Sequence, residues 1–171
     1  HNNWEYAHDL ATAGFPGMLT APRDVSLVND DGRISLVQQP SPEVLESLGA
    51  AVGLSDASAG LIVPEVAWVE LELTTPHGWL HIGHHTLQWL DDKVVLTRAP
   101  LLGRTPEKRV TAPLRPGLER LSVGLLIDRG SLEIFLDGGR TCLASLALGE
   151  VGPRALAWQG QVAGARLRHA M

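Results

Sequence analysis

The chain holds one cysteine, Cys142, in 171 residues. A lone thiol closes no internal disulfide, which excludes a small module built on disulfides. Runs of lysine or arginine are also missing, and the net charge is −5. That leaves no basic patch for nucleic acid or an anionic membrane surface. No apolar run approaches the ~20 residues of a membrane-spanning helix. No basic, apolar, then small-residue leader precedes the first strand-like segment. The first residue is His1 rather than Met, from which we expect the native N-terminus to lie upstream. Cytoplasm and secretion by a bacterium both stay open as locations. Asn-x-Ser/Thr, Gly-x-Ser-x-Gly and phosphate-loop motifs are absent as well.

What remains is an ordinary globular composition, 44% hydrophobic and 19% charged. A chain of this length buries roughly 70% of its unfolded surface and folds without metal or disulfides. Eighteen glycines and eleven prolines punctuate short apolar stretches, the rhythm of an all-β sandwich or barrel. Val25–Val28 and Arg33–Val37 flank Asn29-Asp30-Asp31-Gly32, a hairpin signal. Ser41-Pro42-Glu43 reads as a helix start, with Ser41 as N-cap and Pro42 in the first turn. The helix runs through Val44, Leu45 and Leu48 and ends near Gly49.

From residue 59 onward, eleven short strands are predicted. They lie near 59–63, 67–74, 79–84, 86–90, 94–98, 109–112, 120–128, 131–136, 141–147, 154–159 and 162–168. Val69, Leu71 and Leu73 alternate with Glu70, Glu72 and Thr74, so one face meets a core and the other water. Leu132, Ile134 and Leu136 alternate with Glu133 and Asp137, yet Phe135 occupies the second face. That strand is expected to be covered on both sides. Asp91-Asp92 and Gly138-Gly139 supply turns. The fold expected is a two-sheet antiparallel β-sandwich with a jelly-roll or lectin-like look and a short connector helix.

The first 28 residues lack this rhythm and read as the tail of another domain packed on the sandwich or on a neighbouring molecule. Asn2-Asn3-Trp4-Glu5-Tyr6-Ala7, Gly17-Met18 and Pro22-Arg23-Asp24-Val25-Ser26-Leu27 resemble the last propeller blade of glycoside hydrolase family 32. That family includes invertases, levanases, inulinases and sucrose-6-phosphate hydrolases. Asp31-Gly32-Arg33 and Gln39-Pro40 resemble its linking segment. Ile127-Asp128-Arg129-Gly130-Ser131-Leu132-Glu133-Ile134-Phe135-Leu136-Asp137-Gly138-Gly139 is similar to its Asp-x-Ser-x-x-Glu-x-Phe-x-Asn-Asp-Gly strand pair. The resemblance implies three parts: residues 1–28 as the remnant of a β-propeller, 29–53 as a linking hairpin and helix, and 54–171 as the C-terminal sandwich.

Retaining glycosidases use two carboxyl groups about 5–5.5 Å apart. The family carries them on early propeller blades, in Asn-Asp-Pro-Asn-Gly, Arg-Asp-Pro and Glu-Cys motifs that do not occur here. No catalytic residue is therefore assigned. Asn29-Asp30-Asp31-Gly32 reads as a turn rather than a damaged nucleophile motif, and Arg23-Asp24 as an ion-pair or backbone contact. His77, His81, His84 and His85 suggest zinc, but along one extended strand His81 and His85 lie roughly 13 Å apart. We assign no metal and no cofactor. Cys142 reads as a buried, inert thiol. Trp68, Trp79, Trp89 and Trp158 read mostly as core, with a sugar-stacking role as the alternative for an exposed tryptophan. Trp79 and His81 share a face near a glycine bend and are the candidate sugar-binding residues.

The resemblance implies a parent enzyme that hydrolyses β-fructofuranosidic bonds with retention. This chain would be its non-catalytic support, with the parent's own N-terminal propeller as partner. A carbohydrate-binding module for fructan or oligosaccharide, or a homodimerisation domain, is the alternative.

Overall fold

A computed structural model describes residues 18–30, 32–54, 61–74, 76–101, 105–149 and 152–169. In chain order it contains β1 (Arg23–Asp30), β2 (Arg33–Pro40), α1 (Pro42–Ser47), β3 (Val52–Gly53), β4 (Leu61–Val63), β5 (Ala67–Leu73), β6 (His77–Ile82) and β7 (His85–Leu90). β8 (Lys93–Arg98), β9 (Lys108–Pro113), β10 (Leu121–Asp128), β11 (Ser131–Leu136), β12 (Thr141–Leu146), β13 (Arg154–Gln159) and β14 (Val162–His169) follow.

Two six-stranded antiparallel sheets form the sandwich. The first has the order β12-β11-β10-β5-β14-β3 and the second β4-β13-β6-β7-β8-β9. Period-two alternation places Val69, Leu71 and Leu73 of β5 and Val123, Leu125 and Ile127 of β10 on the inner face of the first sheet. Leu80, Ile82, Leu87, Trp89 and Leu156 meet them from the second sheet, all at most 3% exposed. Full burial of each such side chain stabilises the fold by about 1.5–3 kcal/mol relative to exposure.

β11 is buried at every position. Its inner side chains join the main core, while Phe135 enters a second cluster with Trp68, Leu126 and Leu48 on the outer face of the first sheet. Trp68 and Phe135 meet edge to face with centroids 5.7 Å apart. Trp68 lies against Gly124, where an added Cβ would collide with the indole ring. Only glycine leaves β10 low enough for that ring to lie across it.

β1 and β2 form a separate two-stranded hairpin, paired without a break from Arg23–Pro40 to Asp30–Arg33. The division expected between residues 28 and 29 falls inside β1, because backbone pairing continues through it. β3, expected in the linker, is an edge strand bonded to β14. Two residues carry no periodicity, so that strand has no sequence signal. The expected strand over 79–84 instead begins at His77 and stops at Ile82, and the turn at Gly83-His84 leads straight into β7. Ser41 takes the N-cap position, but its side chain makes no capping hydrogen bond. Its backbone carbonyl accepts from Val44 and Leu45 N–H instead.

The early segment packs on the sandwich where it is described. Met18 joins Leu101, Leu146 and Leu148, and Ala21 N–H donates to Glu133 Oε1 at 2.7 Å. Asn2–Ala7, Phe15–Gly17 and Asp31 lie outside the described residues.

Candidate functional site

Four places on the molecule concentrate polar chemistry. The first joins the hairpin to the first sheet. Arg23 at the base of β1 places Nη2 2.5 Å from Glu133 Oε2 on β11. Its Nη1 donates to Gln38 Oε1 at 3.1 Å, and its guanidinium lies 5.0 Å from the centroid of the Phe135 ring. Farther along the hairpin, Arg140 forms a bidentate pair with Asp30 at 2.9 and 2.8 Å. That contact holds the Asp30 carboxyl below its ordinary range and raises the Arg140 guanidinium. Asn29 Oδ1 accepts from Gly32 N–H at 2.8 Å, the geometry of a turn. Arg23, Asn29 and Asp30 thus make structural contacts within the described residues.

The second place is the turn after β11. Asp137 is buried with a left-handed φ of 49° and accepts both guanidinium hydrogen bonds of Arg115, at 3.1 and 2.9 Å. Gly139 follows at φ 90°, and an added Cβ there would strike the backbone of Gln38. The turn is therefore the seat on which β2 rests. A cleft of about 500 Å³ opens beside this contact, lined by Arg33, Arg115 and Arg140 against Asp30 and Asp137. Two of its arginines are already neutralised by these aspartates. Cys142 is half-buried beside it, and burial pushes its thiol up, away from thiolate chemistry.

The third place is the end of the sandwich around His85. Its Nε2 lies 3.0 Å from both the Leu146 carbonyl and Ser145 Oγ. A carbonyl only accepts, so the neutral ring carries its proton on Nε2. Burial, with a smaller contribution from Arg98, Arg154 and His84, lowers the His85 pKa to about 4. The four histidines do not converge. The hairpin places Ile82 opposite His85 and His81 opposite Thr86, so His81 and His85 face opposite sides of the sheet. Among the described residues no group of three His, Cys, Asp or Glu side chains is placed to hold a metal ion.

The fourth place is the outer face of the second sheet. Trp79 on β6 stands directly opposite Gln88 on β7 and Gln159 on β13. His81 stands opposite Thr86 and Ala157, with its Nδ1 3.1 Å from Thr86 Oγ1. Trp79 and His81 therefore share one open face, as expected. Trp68, Trp89 and Trp158 are 3%, 3% and 8% exposed, whereas Trp79 is half-buried. Sequence reasoning missed Gln88 and Gln159. Alternation alone puts them on the outer face, but only strand register makes them neighbours of Trp79. It also missed a groove of about 270 Å³ over Trp68, where Gln39, Glu70, Glu72 and Ser122 meet.

Residues 93–156 match the family model "Glycosyl hydrolases family 32 C terminal". A levanase from Bacillus sp. (strain L7) is 25% identical over 185 residues, covering 93% of this chain and 20% of that protein. The crystal structure of exo-inulinase from Aspergillus awamori superposes with a TM-score of 0.71 at 15% identity, over 98% of this chain and 38% of the other. Sucrose-6-phosphate hydrolase from Lactobacillus gasseri gives 0.67 at 19% identity, over 86% of this chain and 33% of the other. The chain thus spans about a fifth of the levanase and well under half of each solved relative. The matched segment runs from β8 into β13 and includes the whole of β11, and over that segment the chain is similar to the C-terminal domain of glycosyl hydrolase family 32.

Proposed function

We propose that this domain is the non-catalytic C-terminal support of a larger enzyme that hydrolyses β-fructofuranosidic bonds with retention of configuration. Sucrose, sucrose 6-phosphate, levan and inulin all remain substrates of the right class. The observation that carries the reading is the hairpin. One face rests on the sandwich through the buried Val37 and the Asp30–Arg140 pair. The opposite face presents Val25, Leu27, Ile34 and Leu36 to solvent, between 51% and 71% exposed. Register puts all four on the same side, with Leu27 directly opposite Leu36.

A two-stranded hairpin is marginal by itself, and a contiguous apolar patch marks a contact surface. The partner that fits is the catalytic β-propeller preceding the sandwich in such an enzyme. The propeller's tail, expected over residues 1–28, then extends through the whole hairpin, and Arg23, Asp30 and Gln39 fasten it to the sandwich. The reading predicts no hydrolysis of sucrose, sucrose 6-phosphate or levan by this chain alone. Turnover at enzyme-like rates by the purified chain would refute it.

A further inference from the structure

We propose that the open face around Trp79 is a binding surface for a neutral fructan oligosaccharide. The assignment to fructan rests on the function proposed above; the neutral-sugar chemistry rests on the face itself. Gln159, Trp79 and Gln88 form one cross-strand row, and Ala157, His81 and Thr86 form the next. Directly opposed side chains on neighbouring strands have Cβ atoms about 4.5–5.5 Å apart. The two amides therefore flank the indole at a spacing that suits one sugar ring. Each amide both donates and accepts, the pattern that pairs of sugar hydroxyls require. The indole supplies an apolar surface for the sugar's C–H groups.

Charge narrows the ligand. Continuing the rows across β8 and β9 adds Val95 and Thr111 to the first, and Thr97 and Arg109 to the second. Arg109 at the far edge is the sole formally charged side chain in either row. The row on the other side of Trp79, made of His77, Leu90, Lys93 and Pro113, adds Lys93 two strands away, so the strands directly flanking Trp79 carry no formally charged side chain on this face and an ionic ligand finds no counter-charge next to the indole. A dry interface with a second copy would strand several hydroxyl and amide groups, each costly to desolvate. The groove over Trp68 offers carboxylates, but Trp68 and Phe135 are 3% and 2% exposed, so no ring face is open there.

The test is affinity electrophoresis of the chain in gels containing levan, inulin or a mixed-linkage glucan, with fructo-oligosaccharide titrations followed by tryptophan fluorescence. Fructan should retard the chain. Trp79→Ala should weaken binding at least tenfold. Joint Gln88→Ala and Gln159→Ala, both at exposed positions, should weaken it several-fold without loss of fold. Joint Glu70→Gln and Glu72→Gln should leave it unchanged. No binding to any polymer overturns the proposal, as does binding that survives Trp79→Ala but fails in the glutamate variants. A concentration-dependent dimer broken by Trp79→Ala, without sugar binding, reassigns the face to self-association. Retention on glucan but not fructan, lost with Trp79→Ala, overturns the fructan assignment while leaving the hydrolase reading to its own assay.

Discussion

Arg23 and Glu133, 110 positions apart, form a buried ion pair at 2.5 Å that ties the hairpin to the first sheet. Glu133 is 3% exposed and also accepts from Ala21 N–H. Each partner comes from one of the two sequence motifs that resemble the family, so those motifs meet in space. Breaking a buried pair strands the remaining charge, at a cost of about 3–5 kcal/mol. Arg23→Met should therefore lower the urea midpoint sharply. The double variant Arg23→Met with Glu133→Leu should recover most of the loss, short of about 1 kcal/mol for the stranded Ala21 N–H. Equal destabilisation by the single and double variants would argue against this clamp.

The second prediction concerns acid. His85 has a folded-state pKa of about 4, below its ordinary 6.5, with burial as the largest cause. Above pH 6.5 both folded and unfolded states hold it neutral. As pH falls from 6.5 to 4 the unfolded state takes up the proton first, so stability declines across that window. The full loss is on the order of 3 kcal/mol, with no further loss from this group below pH 4. Chemical denaturation at several pH values should show the decline, and His85→Gln should remove it. An unchanged pH dependence in that variant would exclude His85 as the source.

Gly124 and Trp68 should be energetically coupled. A methyl group at Gly124 collides with the indole, and overpacking of this kind costs about 1–3 kcal/mol. Gly124→Ala should thus be destabilising in the native background and milder beside Trp68→Phe, which withdraws part of the ring. A double-mutant cycle with no coupling would show that the collision is relieved elsewhere.

The hairpin's apolar face should be dispensable to this chain's own stability. Joint Leu27→Lys and Leu36→Lys is expected to change unfolding free energy by no more than about 0.5 kcal/mol. It should reduce binding of a hydrophobic dye. Val37→Lys, on the face that rests on the sandwich, should be strongly destabilising. If Leu27→Lys and Leu36→Lys unfold the chain, those side chains already have partners within it.

The all-β class, the hairpin, the connector helix and most strands were legible because they depend on local chemistry. Alternation of apolar and polar side chains has a period that only a strand satisfies, and Asn, Asp and Gly tolerate turn backbones. The doubly covered strand was readable from Phe135 alone, since an aromatic on an otherwise polar face needs a cover. Arg23's partner, the outward neighbours of Trp79 and the burial of His85 were not readable. Each depends on which strands lie side by side and in what register, and alternation is blind to that. Local periodicity determined which face each side chain takes; only the stacking and pairing of the two sheets decided which of those side chains meet.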